Sequence, residues 1–211
     1  MAEASPEPKV DGRSLRYADR RQELLRAAMG YVLEHGLADL SMRPLAKALG
    51  ITHTSLSAHF GSKENLITEI LATFRQVSRG GRGAPEPALD EHGRPTLDRY
   101  DWWWKQWSQD SFLPAWRLNF EVFGIALQNP GRYTEFLEHV VDDRLDSLRP
   151  LLLACGCPPD DVDTVATSAI AHIVGLQADF LATGDRERVD RAHAAYVAYL
   201  ETQRRSWTST G

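Results

Sequence analysis

Cysteine is scarce in this chain. Cys155 and Cys157, one glycine apart, are the two present in 211 residues. No second pair completes a zinc site, and neither a disulfide framework nor a metal centre is expected. No stretch alternates apolar and polar residues with period two, which excludes sheets and leaves an all-helical chain. No uninterrupted apolar run approaches ~18 residues, and the opening MAEASPEPKV is polar, acidic and proline-bearing, so a cytoplasmic protein without a membrane partner is expected. The spacings that Ser/His/Asp, Cys/His or phosphate-loop chemistry demands are also missing, so neither an enzyme nor a cofactor is expected. There is no internal repeat. Base is in deficit overall, with 24 Lys and Arg against 29 Asp and Glu and a net charge of −5. That balance argues against a polyanion partner unless it is uneven. It is uneven: Met1–Arg79 holds eleven basic and nine acidic residues, leaving thirteen against twenty for the remainder.

What the chain does have is apolar material, 43% of its residues, arranged with helical period. Ser14 to His35 carries Leu24, Leu25, Ala28, Met29, Val32 and Leu33 on one face and stops at Gly36. Arg13, Arg16, Arg20 and Arg21 stand at its start, as a solvated face or as a row along DNA phosphates. Next comes LSMRPLAKALGITHTSLSAHFG (40–61). Ser41 is placed to cap a helix, with Leu40 and Leu45 as its hydrophobic staple. Gly50 supplies the left-handed residue that ends it, and Thr52 caps a second short helix. Leu45, Ala46 and Leu49 face Ile51, Leu56 and Phe60 across an apolar seam, leaving His53, Thr54, Ser55, Ser57 and His59 outside. A rod with short polar side chains of this kind can enter a major groove. His53 and Thr54, on its leading turn, are candidates for base edges. Thr52, Ser55, Ser57, His59, Lys63, Arg16 and Arg43 are candidates for phosphates. Protonation of His53 or His59 against the polyanion would weaken binding as pH rises from about 6 to 8.

Ser62 with Asn65 opens a further helix striped by Leu66, Ile67, Ile70, Leu71 and Phe74, with Lys63 at its first position, where the helix terminus favours phosphate. Residues 80–95, within RGGRGAPEPALDEHGRP, read as a loop or hinge. The expected organisation is an arm over 1–12, a helix-turn-helix domain over 13–79 with its linking helix from 62, the hinge over 80–95, a helical domain over 96–205 and a tail over 206–211.

In the second domain, helices are expected over Thr96–Asp110, Phe112–Asn129, Tyr133 to about Ala154, Asp160 to about Ala182 and Asp185 to about Arg204. Pro150 is expected to kink the third, and the second, apolar nearly all round, is expected to be surrounded. Trp103, Trp107, Trp116, Asn119, Phe120, Phe123, His172, Leu176 and Asp179 are the candidate effector-binding residues, and they suit a bulky apolar or aromatic molecule. A core role for the tryptophans and for His172 stands beside that reading. His139, Asp142, Asp143 and Asp146 are read as a solvated acidic face rather than a metal site. Val165, Ala169, Ile173 and Phe180 with Ala192, Ala195, Tyr196 and Tyr199 are candidates for a homodimer interface, or else close the core of one chain.

The arginine-bearing first helix, LSMRPLAKALGITHTSLSAHFGSKENL and the all-helical remainder together resemble the TetR/AcrR-type one-component transcriptional regulators, specifically so over about residues 14–75. The motifs are Ser41, Gly50-Ile51-Thr52, Leu56 with Phe60, and Ser62-Lys63-Glu64. Ser57 departs from the tyrosine frequent in that position and shortens the arm there. The resemblance implies a DNA-binding helix-turn-helix domain followed by a ligand-binding and dimerisation domain. It also implies a homodimer whose last two helices pair as a four-helix bundle, acting as a repressor on a palindromic double-stranded operator and released by a small molecule. A ligand-sequestering protein or an enzyme with an incidental helix pair is the alternative.

Overall fold

A computed structural model describes residues 12–79 and 85–207, with side chains over 16–73 and 85–207. Ten α-helices occur among them: α1 Gly12–His35, α2 Met42–Ala48, α3 His53–Phe60, α4 Lys63–Arg79, α5 Asp98–Trp107, α6 Leu113–Gln128, α7 Thr134–Val140, α8 Asp142–Ala154, α9 Val162–Thr183 and α10 Arg186–Ser206. A single 3-10 turn, Asp110–Phe112, precedes α6. No strand is present among the described residues, and the isolated bridge Leu89–Pro95 is the extent of β pairing there. The chain divides into two compact units, Met1–Leu71 and Ala72–Gly211. The division falls inside α4 rather than in the loop over 80–95.

The first unit packs α2 against α1 and α3. Leu24, Ala28 and Val32 of α1 are buried with Leu45 and Ala46 of α2, Leu56 and Phe60 of α3, and Leu66, Ile67, Ile70 and Leu71 of α4. Phe74 and Arg13 lie outside the residues whose side chains are described. Local chemistry sets the boundaries. At the end of α2, Gly50 takes φ +67, its N–H donates to Lys47 O at 3.2 Å and that of Ile51 to Ala46 O at 3.0 Å, the paired bonds of a Schellman stop. Ser41 has the extended backbone of a cap, but its hydroxyl makes no capping bond, unlike the sequence expectation.

In the second unit α9 packs on α8, α10 and α6, while α10 also meets α5. Leu97, Tyr100, Trp104, Trp116, Leu152, Ala166, Ala169, Val189 and Leu200 are among its buried core. Several boundaries differ from the sequence reading. The helix expected over 133–154 breaks at Val141 into α7 and α8, and Pro150 lies within α8. Asp143, read as part of a solvated face, is buried. The helix α6 is not surrounded, because Leu127 is 61% exposed and Phe112, just before it, 40%.

The loop expected over 80–95 is partly built. From Ala88 to Leu97 it forms a turn closed by Thr96 N–H to Ala88 O at 2.8 Å. Asp90 accepts the His92 and Arg94 amides and pairs at 2.8 Å with the buried Arg204 of α10. Arg204 also meets Glu201 at 2.7 Å, and Glu201 accepts the Leu97 amide at 2.7 Å. The Arg204 guanidinium holds the Asp90 carboxyl well below the usual carboxylate range.

By length and mean hydropathy, 1.4 over its most apolar window, α9 is long and apolar enough to cross a membrane, although Asp163, His172, Gln177 and Asp179 interrupt its apolar run and it packs on α8, α10 and α6. Its inward side carries Ala166, Ala169, Ile173, Gln177 and Phe180. Its outward side is small: Thr164, Thr167, Ser168, Ala171, Gly175, Ala178 and Ala182 are all exposed.

Candidate nucleic-acid interface and effector domain

The outward rod is α3. Thr52 caps it, accepting the Ser55 amide at 3.1 Å, and its buried Leu56 and Phe60 fix which side faces in. His53 and Thr54 are exposed at its first turn, Ser55 and Ser57 half-buried beside the seam. The first turn of a helix also concentrates unpaired N–H groups and partial positive charge. Ser62 Oγ accepts the Asn65 amide at 3.2 Å and caps α4, which sets Lys63 at the first helical position.

His59 departs from the reading of a free outer face. Its ring stacks on Tyr17 of α1, with centroids 4.6 Å apart, and its Nδ1 is buried with no partner among the described residues. Tyr17 donates from its hydroxyl to Ala58 O at 3.1 Å. Arg21 donates from Nε to His59 O at 3.1 Å and from Nη2 to Glu69 at 2.5 Å, its guanidinium lying 5.2 Å from the centre of the Phe60 ring. Arg21 is therefore committed to the protein rather than to an outer row, and Arg20 is paired with Glu23. Arg43 and Lys47 of α2 are exposed, Lys63 is half-buried, and none of the three makes an ion pair among the described residues. Arg16 is exposed on α1 and has a partner of its own. Cations without an ion pair on the helices that flank α3 are what a phosphate backbone requires. Tyr17 and Arg21 were missed as organisers of α3, since only tertiary approach brings α1 to its end.

Residues 24–70 match the model of the bacterial regulatory proteins, tetR family. Over those residues the chain is a TetR-family helix-turn-helix unit. Its helix-turn-helix unit is thus the DNA-binding part of a transcriptional regulator. Among curated relatives, the HTH-type transcriptional regulator BetI of Agrobacterium fabrum is 29% identical over 157 residues, 74% of each chain. The HTH-type transcriptional repressor KstR2 of Rhodococcus jostii is 46% identical over 55 residues, 26% of this chain and 27% of its own length. Among solved structures, that of the multidrug binding protein EbrR complexed with proflavin is similar at a TM-score of 0.55 and 22% identity, covering 82% of this chain and 96% of that one. It shares the all-helical two-domain fold.

In the second unit the sequence candidates for effector binding disperse into separate contacts. Trp103 and Trp107 stack parallel at 6.0 Å. Trp116 is buried against Trp104 and edge-on to Phe180 at 6.1 Å. Asn119, Phe120 and Phe123 are half-buried on α6. Asn119 accepts from Arg144 Nη2 at 2.8 Å, and Phe123 meets Phe136 edge to face. His172 stacks on Tyr196 at 4.0 Å, and Leu176 is half-buried on the same helix. Asp179 does not face His172 as its heptad spacing suggested. It pairs with Arg188, at 2.6 and 2.7 Å, because α10 turns back on α9 at Gly184.

Of the interface candidates, Ala169, Ile173 and Phe180 are buried within their own chain, Val165 and Tyr196 half-buried, and Ala192, Ala195 and Tyr199 exposed. His193, absent from every candidate set, is 1% exposed. It stacks on Trp104 at 5.1 Å and lies 3.3 Å from Asp101. It lines an open groove of about 610 Å³ between α5 and α10 with Asp101, Lys105 and Asp190. The cysteines are free and buried, and burial raises the Cys155 thiol to about 11, which keeps it protonated and unreactive at neutral pH.

Proposed function

We propose that the chain acts as a cytoplasmic homodimeric repressor that reads a palindromic operator and is released by a bulky apolar or aromatic small molecule. The observation that carries the DNA side is the capped first turn of α3, with His53 and Thr54 exposed and the unpaired Arg43 and Lys63 on the neighbouring helices. His53 and Thr54 would meet base edges. Arg43, Lys63, Thr52, Ser55 and Ser57 would hold phosphates, with Arg16 from α1. Two such helices reach successive major grooves when about 34–36 Å apart. The repressor reading is supported by the likeness to the transcriptional repressor KstR2, and the effector reading by the aromatic residues of α5 and α6 and by proflavin in EbrR. Release follows if the ligand prefers the conformation that fits the operator poorly.

Second copies would meet through the outward faces of α9 and α10. Small side chains there permit close helix approach, whereas Ala169, Ile173 and Phe180 are occupied by the chain's own core.

Selection of bound duplexes from a random pool, followed by salt titration, tests this reading. Binding to a palindrome with a steep salt dependence is expected, and Lys63→Ala and Arg43→Ala each lower the slope by about one. A protein that only sequesters its ligand would bind no duplex in a salt-dependent way.

A further inference from the structure

We infer that Arg144 receives an anionic group of the effector, so that the molecule sensed is an acid, a carboxylate on an apolar or aromatic body. This rests on the effector reading above and narrows its ligand. Arg144 sits on α8 between the buried Asp143 and Leu145 and reaches α6, where Nη2 donates to Asn119 Oδ1 at 2.8 Å. That neutral amide is the one hydrogen-bond partner of the Arg144 side chain among the described residues. Asp143 has an interaction of its own, and no ion pair joins Arg144 to a carboxylate among the described residues. Of the other arginines drawn into the second unit, Arg94 and Arg204 pair with Asp90, Arg149 with Asp146 and Asp163 and Arg186 with Asp110, while Arg99, also without a carboxylate among the described residues, lies over the Trp103 ring at 5.6 Å.

A guanidinium withdrawn from water without a counter-charge is unfavourable. It persists where something else supplies the charge. Burial pulls the Arg144 pKa below its usual value, with no neighbouring carboxylate to oppose the shift, yet guanidinium stays charged at neutral pH. Its planar fork offers five N–H donors, of which Asn119 takes one. The rest match the two oxygens of a carboxylate. The helix that carries Asn119 also carries the half-buried Phe120 and Phe123, one and four residues on, the latter against Phe136 of α7. Charge recognition and apolar surface therefore occur together on α6, α7 and α8. Asn119, an interior-facing candidate from sequence spacing, takes the role of orienting the guanidinium.

The test uses the full chain and matched probes: 2-naphthoate, 2-naphthamide and 2-naphthylmethylamine, with decanoate and decanamide, titrated by intrinsic tryptophan fluorescence. At least one acid is expected to bind at least about tenfold more tightly than its amide, with the amine weakest. Arg144→Met removes that preference, and Arg144→Lys, which keeps the charge without the fork, retains part of it. The melting temperature of the ligand-free protein is expected to hold or rise in Arg144→Met, since an uncompensated charge is lost; a purely structural arginine would lower it. If Arg144→Met fails to fold, Arg144→Lys carries the comparison. Equal binding of acids and amides, no acid binding at millimolar concentration, or an acid preference surviving in Arg144→Met overturns the inference. Operator binding by the ligand-free protein is measured in parallel. Its loss would sink the repressor reading and leave acid recognition standing, whereas indifference to acids with intact operator binding sinks this inference alone.

Discussion

His193 ties stability to proton concentration through a single ring. Burial lowers its pKa from 6.5 to about 4, opposed in part by Asp101, and burial lowers that of the neighbouring His172 as well. Tyr100, Tyr196, Lys105 and Asp190 complete the surroundings. The unfolded chain binds a proton at His193 below about pH 6.5, while the native one refuses it until about pH 4, so stability falls on acidification across that window and is flat above it. From pH 7.5 to 5.5 the loss from His193 should be on the order of 1 kcal/mol, before Asp90 and Asp179, whose pKa values are lowered, begin to titrate. Urea unfolding at the two pH values measures it, and His193→Gln should flatten the difference; an unchanged difference would place the effect elsewhere. This histidine was not legible in the sequence because RVDRAHAAYVAYL gives it no special neighbour, and its burial follows from α5 crossing α10. Gly50 was legible, since a left-handed stop after a short apolar helix has a local cause.

At the scale of elements, α3 is too short to stand by itself. It has eight residues rich in His, Thr and Ser, and isolated helices of such length and composition are marginal in water. Its first turn is held by Thr52. Its last turn is held from α1, where Tyr17 and Arg21 donate to the carbonyls of Ala58 and His59, groups that a helix end leaves unpaired. A cation at that end also opposes the helix dipole favourably. Arg21→Met should cost roughly 1–2 kcal/mol locally, visible as faster amide exchange in the last turn of α3 and as operator affinity reduced about tenfold. Exchange unchanged in α3 would show that Tyr17 suffices. The start of α3, its seam and the caps around it could be read from the sequence because each depends on residues within one turn. The break at Val141 could not: continuous helical periodicity across 133–154 hides that α7 and α8 bury different sides, Phe136 and Val140 in one and Asp143, Leu145 and Leu148 in the other.

For the whole molecule, the all-helical two-domain fold was legible from period and punctuation, while the side of α9 that faces outward was not. Thr164, Ser168, Ala171, Gly175 and Ala178 look featureless in sequence, and the apolar Ile173 and Phe180 drew attention instead. Gly175 decides between a solvated face and a partnered one. A Cβ built there meets nothing within 4 Å inside the chain, and glycine in a helix interior is disfavoured by roughly 1 kcal/mol relative to alanine. In a single chain Gly175→Ala should therefore stabilise. If a second copy crosses here, that gain is lost to crowding, and a larger residue separates the subunits. Gly175→Glu is accordingly expected to reduce the light-scattering mass to that of one 23.7 kDa chain without unfolding it. Operator affinity should then fall by about two orders of magnitude, because two linked α3 helices bind through a high effective concentration that one cannot supply. A Gly175→Glu protein that keeps a dimer's mass would place the interface on another face of the molecule.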